Sequence, residues 1–193
     1  MLAAVILSGG ASRRMGSPKA LLPYQGRPFL EHLLEVTQHP RIGARRVVLG
    51  PDADAISSQV TLSKEEMVLN AEWQRGQLSS IQAAIRSLPS GTEGLVLCPV
   101  DHPLVSASLV SDLIEAFDVH QPAVALPIFE GRRGHPVIFS SRLYDELLNA
   151  PEDKGARAVV WAHANEIAEV ATEEEGCVLN LNDPGAFQKY TSG

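Results

Sequence analysis

Short apolar runs alternate with amphipathic stretches along this chain. The runs have the length of buried strands, and the stretches repeat apolar residues at helical spacing. The predicted strands are residues 3–7, 46–50, 67–70, 95–100, 123–127 and 137–139, with one or two more between 167 and 181. The predicted helices are residues 29–38, 53–60, 79–88, 106–119, 142–149, 155–164 and 184–190. This alternation predicts a Rossmann-like α/β fold, a single domain over residues 1–193 with a mostly parallel sheet flanked by helices.

Residues 130–135 break the alternation. They place Gly131, Gly134 and two arginines between two apolar runs, so we expect a hairpin-like excursion that reaches over the site. In open α/β sheets, ligands bind beyond the carboxyl ends of the strands. Functional residues are therefore expected directly after the predicted strands.

Composition narrows the class of protein. The net charge of −7 and the pI near 5.3 argue against a nucleic-acid partner. Cys98 and Cys177 lie in separate apolar runs without metal-ligand spacing, which indicates buried free thiols and a cytoplasmic location. The chain has no apolar run of about 18 residues, and its short apolar start has no basic leader, so we expect neither a membrane span nor a signal peptide.

The first predicted strand runs directly into a glycine-rich, cationic loop. Glycines let backbone N–H groups approach an anion closely, and the cations match the charge of a phosphate group. The spacing fits neither a Walker loop nor the Gly-x-Gly-x-x-Gly fingerprint. The loop reads Ser8-Gly9-Gly10-Ala11-Ser12-Arg13-Arg14-Met15-Gly16-Ser17-Pro18-Lys19.

This loop resembles the signature loop of the MobA-like nucleotidyltransferases. That family includes enzymes that add GMP or CMP to molybdopterin, and sugar-phosphate nucleotidyltransferases are its relatives. The resemblance covers essentially the whole chain and implies catalytic roles for Arg14 and Lys19. The nucleotide-binding residues that we expect in or near this loop are Leu7, Ser8, Gly9, Gly10, Ser12, Arg13, Gly16 and Lys19.

Asp101 ends another predicted strand and is followed by a His-Pro turn. A carboxylate there suits Mg²⁺, which prefers oxygen ligands, and the pattern resembles the family's metal-binding Asp-x-Pro. Asp101 would otherwise cap the next helix, but Ser106 is the better placed cap. The resemblance puts the second metal ligand at Asn182, with the adjacent Asp183 left open as the ligand or as a helix cap.

A third strand-to-helix crossing covers residues 70–81. Similar segments of the family bind the base and ribose, so we assign Asn70, Gln77 and Ser79 to nucleotide binding, with Gln77 reading the base. Ser79 or Ser80 is expected to cap the following helix. The two tryptophans of the chain, Trp73 and Trp161, are expected to pack rather than to stack on a base.

The acceptor side is indicated by Gly131-Arg132-Arg133-Gly134-His135-Pro136. This run resembles the Gly-Arg-x-Gly-His/Asn-Pro segment of molybdenum cofactor cytidylyltransferases, which implies acceptor binding by Arg132, Arg133 and His135. Lys154-Gly155-Ala156-Arg157, with Asp153 just before it, likewise resembles their Asp-x-Gly-Ala-Arg motif.

We therefore predict Mg²⁺-dependent transfer of NMP from an NTP to a phosphorylated acceptor, with release of pyrophosphate. Molybdopterin is the favoured acceptor. Ser8-Gly9-Gly10 resembles the guanine-specific pattern, whereas the two segments at 77–80 and 131–136 resemble the cytidylyl branch, so CTP is favoured over GTP. A sugar- or alditol-phosphate nucleotidyltransferase and a non-catalytic nucleotide- or cofactor-binding chaperone remain as alternatives. The expected protein partner is a molybdoenzyme or its chaperone, and the expected state is a monomer or weak dimer.

Overall fold

The apolar runs form the strands of a mixed sheet in the computed structural model, which describes residues 1–10, 16–182 and 184–191. Two short strands within residues 23–28 form a separate two-stranded sheet. The strands are β1 (Leu2–Ser8), β2 (Pro23–Tyr24), β3 (Arg27–Pro28), β4 (Ile42–Leu49), β5 (Met67–Leu69), β6 (Gly94–Pro99), β7 (Val124–Phe129), β8 (Arg132–Arg133), β9 (Val137–Ser140) and β10 (Ile167–Ala171). The helices are α1 (Phe29–Val36), α2 (Ala53–Ser57), α3 (Gln77–Ser87), α4 (Ala107–His120), α5 (Tyr144–Leu148), α6 (Ala156–Ala162) and α7 (Pro184–Thr191).

The main sheet has the strand order β10-β7-β9-β6-β1-β4-β5, with β8 paired to β7. The pairs β6–β1, β1–β4, β4–β5 and β10–β7 are parallel, and β9 lies antiparallel between β6 and β7. The predicted α/β fold with a mostly parallel, helix-flanked sheet is confirmed. In the fully described range 167–181 one strand forms, β10.

Helices cover both faces of this sheet because the strand side chains alternate between two apolar clusters. In β6, Val96 and Cys98 belong to the cluster beneath α1, α4 and α7, whereas Leu95 and Leu97 belong to the cluster beneath α3, α5 and α6. Cys98 and Cys177 are buried free thiols, as predicted. Within the described residues, no helix is long and apolar enough to cross a membrane.

The predicted hairpin forms between β7 and β8. Its two turn residues, Glu130 and Gly131, both have positive φ, at 47° and 76°, which is the combination that a tight two-residue hairpin turn requires. The chain then returns as β9 along β7 and inserts between β7 and β6. This reversal explains why the sheet is not wholly parallel.

The connection order places a crevice at one edge of the sheet. From β1 the chain adds β4 and then β5 on one side, and then crosses back to add β6 on the other side of β1. The loops that leave β1 and β6 therefore turn away from each other, which opens a ligand-sized crevice at their carboxyl ends. Gly9 follows β1, and Asp101 follows β6 shortly after its last residue, Pro99.

Candidate active site

A cleft occupies this crevice. It brings together residues from the ends of β1 and β6 and from the start of α3. Its lining is Leu7, Ser8, Gly9, Gly10, Lys19, Trp73, Gly76, Gln77, Ser80, Pro99, Val100 and Asp101. Predicted residues from the first loop, the end of β6 and the base-binding segment therefore share one cleft: Leu7, Ser8, Gly9, Gly10, Lys19, Gln77 and Asp101.

The backbone after β1 is packed too closely for side chains at two glycines. A Cβ on Gly9 would lie 2.7 Å from Ser80 Oγ, and a Cβ on Gly50 would collide with the Gly9 carbonyl oxygen. Gly50 follows β4, the parallel neighbour of β1. The two glycines let the backbone after β1 lie against α3 and the end of β4, where Gly9 and Gly10 line the cleft.

Four residues of the predicted site, Ser12, Arg13, Arg14 and Asp183, lie outside the described residues. Gly16, which is described, has φ +69° and is exposed. The 3₁₀ turn at Lys19–Leu21 follows it and brings the Lys19 side chain into the cleft.

Lys19, Asp101 and Asn182 meet in the structure. The Lys19 ammonium donates a hydrogen bond to Asn182 Oδ1 and lies 3.6 Å from Asp101 Oδ2. One ammonium group thus contacts both oxygens that were predicted to bind metal, although 81 residues separate them in sequence. Two side-chain oxygens that converge on one cation form the hard donor set that suits Mg²⁺ or Mn²⁺, so these residues fit a divalent metal.

The segment that carries Asn182 is held by backbone contacts. Leu181 N–H donates to the Asp101 carbonyl oxygen at 2.7 Å, and His135 N–H donates to the Cys177 carbonyl oxygen at 2.8 Å. Gly134 packs so closely here that a Cβ on it would lie 2.5 Å from the same Cys177 oxygen. The 131–136 segment thus supports the C-terminal segment at the site.

His102 and His135 form a ring pair beside Asp101, with ring centroids 4.7 Å apart. Burial, and secondly the neighbouring His102, lowers the pKa of His135 to about 4. Burial likewise lowers the pKa of His102, opposed by Asp101. Both rings are therefore neutral at pH 7. The Nδ1 atom of each is buried and finds no partner among the residues that the structure describes.

The two arginines of β8, which were predicted to bind the acceptor, contact different partners. Arg133 forms an ion pair with Glu169 of β10 at 2.7 Å, whereas Arg132 reaches toward the Val178 carbonyl oxygen at 3.5 Å. Adjacent strand residues point to opposite faces, so Arg132 and Arg133 cannot both face the cleft from this strand. The structure brings Arg132 and His135 to the C-terminal segment and directs Arg133 to the sheet edge.

Asn70 and Ser79 lie beneath the cleft, not on its surface. The buried Asn70 amide donates to Ser79 Oγ at 2.9 Å and to Ser80 Oγ at 3.0 Å, and its Oδ1 accepts from Glu72 N–H at 2.9 Å. The prediction that Ser79 or Ser80 caps the helix is wrong. Helix α3 begins earlier, at Gln77, with Gly76 as its N-cap. The local reason is Gly76, whose φ of +93° makes the sharp turn that starts the helix.

The capping prediction for the next helix is confirmed. Ser106 accepts a hydrogen bond from Leu109 N–H at the start of α4. Because Ser106 satisfies this helix end, the Asp101 carboxylate is available to the cleft.

Sequence reasoning missed Trp73 as a cleft residue. Trp73 is half-buried and lines the cleft beside Gln77, while Trp161 is 59% exposed. Neither side chain is part of the buried core, and the expectation that both pack rather than stack on a base stays a prediction. The available signal was the position of Trp73 in a strand-to-helix crossing, where the sequence analysis already placed base-binding residues.

Comparison with known proteins supplies independent information. The family model of the MobA-like NTP transferase domain matches residues 4–167. The chain is 31% identical over 163 residues to nicotine blue oxidoreductase of Paenarthrobacter nicotinovorans, covering 79% of this chain and 78% of that protein. It is 26% identical over 201 residues to molybdenum cofactor guanylyltransferase of Cupriavidus pinatubonensis, covering 98% of this chain and 96% of that protein.

Solved structures match over the whole length. Rv0371c from Mycobacterium tuberculosis H37Rv superimposes with a TM-score of 0.83 at 26% identity, covering 100% of this chain and 97% of that one. A second structure of Rv0371c, a complex with manganese, superimposes with a TM-score of 0.79 at 24% identity, covering 100% and 98%. The arrangement of strands and helices described above is thus an established fold.

Proposed function

The chain belongs to the MobA-like NTP transferase family, and we propose that it transfers a guanylyl group from GTP to a phosphorylated acceptor of the molybdopterin type. The family makes the chain a nucleotidyltransferase. One observation carries the proposal for the site. Residues that are distant in sequence converge in the crevice at the carboxyl ends of β1 and β6. They are Gly9 and Gly10 after β1, Lys19, Asp101 and Asn182.

The choice of GTP rests on the relatives. The relative from Cupriavidus pinatubonensis, matched over 98% of this chain, is named a guanylyltransferase, as is a relative from Xanthomonas euvesicatoria that is 34% identical over 110 residues. Ser8-Gly9-Gly10 at the start of the loop resembles the same branch. GTP therefore replaces CTP, the donor that the sequence analysis favoured, and molybdopterin remains the preferred acceptor.

The chemistry follows from the charge of the reactants. An oxygen of the acceptor's terminal phosphate, already anionic, attacks the α-phosphorus of GTP without a general base. The bond between the α-phosphorus and the oxygen that bridges to the β-phosphate breaks, and pyrophosphate leaves with that electron pair. The protein has to align the two phosphates and stabilise the negative charge that spreads over the transferring group.

This chain's groups are suited to both tasks. We assign the backbone N–H groups of residues 8–10 and the Lys19 ammonium to the triphosphate. In the described structure Lys19 contacts Asp101 and Asn182, and we expect its ammonium to shift to a phosphate oxygen when the donor binds. Arg132 and His135 stay assigned to the acceptor, next to the segment that carries Asn182.

Asp101 and Asn182 would hold a divalent metal. When bound, such a metal neutralises phosphate charge and acts as a Lewis acid toward phosphoryl oxygens. The manganese complex of Rv0371c supports a metal in this fold. We propose Mg²⁺, with Mn²⁺ as the ion to compare.

Pyrophosphate release tests the proposal. Purified enzyme is incubated with GTP, CTP, UTP or ATP and with molybdopterin, a sugar phosphate or an alditol phosphate as acceptor, in Mg²⁺, Mn²⁺ or EDTA. Thermal unfolding with each nucleotide is recorded in parallel. We expect GTP-dependent, metal-dependent pyrophosphate release, and a loss of about 10²–10³-fold in kcat for Asp101→Asn, as for the removal of one charge-stabilising group elsewhere. Asp112→Asn, a change at an aspartate of α4 outside the cleft, is the matched control and should retain full turnover.

Each other outcome has a distinct meaning. Release with CTP instead of GTP would overturn the donor assignment, and release only with a sugar or alditol phosphate would overturn the acceptor. Nucleotide binding without pyrophosphate release would favour the chaperone alternative. Full turnover in Asp101→Asn would exclude the metal assignment.

A further inference from the structure

Trp73 is a large apolar side chain held at the cleft and not in the core. It lines the cleft beside Gly76, Gln77 and Ser80. As far as the described residues go, it belongs to neither of the two hydrophobic clusters that pack against the sheet. A half-buried indole outside the core, at the wall of a ligand cleft, is apolar surface that a ligand would cover.

The turn that carries Trp73 is anchored from behind. The buried Asn70 side chain accepts a hydrogen bond from Glu72 N–H, and Ser79 Oγ donates to the Glu72 carbonyl oxygen at 3.0 Å. On the outer side, Arg75 bonds Glu72 at 2.7 Å and Glu152 through Nε at 3.0 Å. The two partly buried hydrogen bonds set the turn, since exposed ion pairs add little. Trp73 is therefore presented at a defined position.

The position of Trp73 along the sheet indicates which part of the donor it meets. Asp101 and the ammonium of Lys19 mark the phosphate end, at the carboxyl end of β6. The Trp73 turn follows β5, and β1 and β4 lie between β5 and β6. A nucleoside triphosphate whose phosphates lie at Lys19 and along the loop after β1 would place its base toward Trp73. The group expected there is planar and aromatic.

On the basis of the proposed function, we propose that the Trp73 indole stacks on the nucleobase of the donor NTP, beside Gln77 at the base edge. Stacking on an aromatic side chain tolerates different bases because every base has a π face. Trp73 thus supplies affinity for the nucleoside, whereas discrimination between bases falls to polar groups such as Gln77. Trp73, which the sequence analysis did not assign to the cleft, thereby has a role in nucleotide binding.

Tryptophan fluorescence reports the contact directly because the chain has two tryptophans. In Trp161→Phe the emission comes from Trp73 alone, and in Trp73→Phe it comes from the exposed Trp161 of α6. We expect GTP to quench the Trp161→Phe protein saturably and to leave the Trp73→Phe protein unchanged. Inorganic tripolyphosphate, which has the charge of the donor but no base, should compete with GTP and cause no stacking quench.

Binding by Trp73 variants tests the energy of the contact. Trp73→Leu keeps an apolar side chain without a ring and should weaken GTP binding by on the order of ten-fold or more, while Trp73→Phe should weaken it less. Tripolyphosphate affinity should stay the same in both, which also shows that the cleft is folded. Circular dichroism confirms the fold of each variant.

Failure of stacking is distinguishable from failure of the proposed function. If GTP stabilises the wild type thermally but Trp73 emission is unchanged and Trp73→Leu binds GTP normally, the stacking proposal is wrong and the nucleotidyltransferase proposal stands. If neither GTP nor CTP binds, the proposed function fails with it. If CTP binds and quenches Trp73 while GTP does not, stacking holds and the donor assignment is overturned.

Discussion

The close approach of Gly9 to Ser80 allows the packing of the backbone after β1 to be tested by a double-mutant cycle. A Cβ at position 9 would lie 2.7 Å from Ser80 Oγ but 3.8 Å from Ser80 Cβ. The first distance is a steric clash, and the second is an ordinary van der Waals contact. Gly9→Ala should therefore displace the loop when Ser80 is present and should be accommodated when it is combined with Ser80→Ala.

The expected energies follow from these contacts. Overpacking of this kind costs about 1–3 kcal/mol, and the reduced freedom of the unfolded chain offsets about 0.4–1 kcal/mol of that loss. Ser80→Ala alone removes the hydrogen bond from the Asn70 amide, a loss of about 0.5–1.5 kcal/mol, although Asn70 keeps its bond to Ser79. The gain from the unfolded chain is present in both Gly9→Ala and the double variant and cancels in the cycle. The double variant should therefore be at least as stable as Ser80→Ala, and the coupling free energy should equal the overpacking cost of about 1–3 kcal/mol in favour of the pair.

Urea unfolding of the wild type, both single variants and the double variant measures this coupling, and calorimetric titration with GTP measures its effect on the loop. We expect Gly9→Ala to weaken GTP binding and the double variant to recover much of that loss. Gly10→Ala is the control for stability, because a Cβ at Gly10 meets no atom within 4 Å among the described residues. If the effects of Gly9→Ala and Ser80→Ala on stability simply add, the steric explanation is refuted.

Two further predictions concern the support of the site and the acid stability of the fold. Gly134→Ala would put a Cβ 2.5 Å from the Cys177 carbonyl oxygen, so it should lower the unfolding free energy by about 1–3 kcal/mol and reduce turnover by shifting the segment of Asn182. Gly43→Ala is the control, because its Cβ meets the flexible Met1 side chain at 2.5 Å, and it should cost less stability than Gly134→Ala. Equal losses of stability in urea in the two variants would contradict this reasoning. Glu93→Gln should make the Tm depend less on pH in the acid range. The Met1 amino group, and next Arg41, lower the pKa of Glu93 from 4.5 to about 2. The ionised Glu93 therefore stabilises the fold above the pKa of the unfolded chain, and this stabilisation is lost as the pH falls from 4.5 to 2. The Tm values of wild type and variant should converge between pH 4.5 and 2, and a pH-independent difference would argue against the ion pair.

The closeness of Lys19 and Asp101 could be predicted from features of the sequence alone. Glycines and cations after an apolar run predict a phosphate-binding loop, and a carboxylate at the end of another run predicts an oxygen ligand. Because the carboxyl ends of parallel strands meet at one edge of a sheet, these two predictions also implied that Lys19 and Asp101 lie close together. Their contact in the structure agrees with that expectation, while the catalytic roles stay predictions.

Other features depended on partners far away in the sequence. Arg133 and Arg132 look equivalent in the motif, but pairing with Glu169 directs Arg133 to the sheet edge. Ser79 resembles a helix cap, but it bonds instead to Asn70 and to the turn before α3. Trp73 has a large apolar side chain of the kind that usually lies in a core, but it lies at the cleft. In each case the choice is made by neighbours that only the folded chain assembles.

By itself, the sequence determined the alternation of strands and helices, the glycine-rich sequence that follows β1 and the edge of the sheet at which the predicted site residues lie. These features are encoded locally, in periodicity, in glycine positions and in the residue that follows each strand. Only the tertiary structure decided that β9 runs antiparallel, that one ammonium group joins Asp101 to Asn182, and that Trp73 faces the ligand cleft. Those outcomes depend on contacts between distant segments, whose geometry is set when both faces of the sheet are packed.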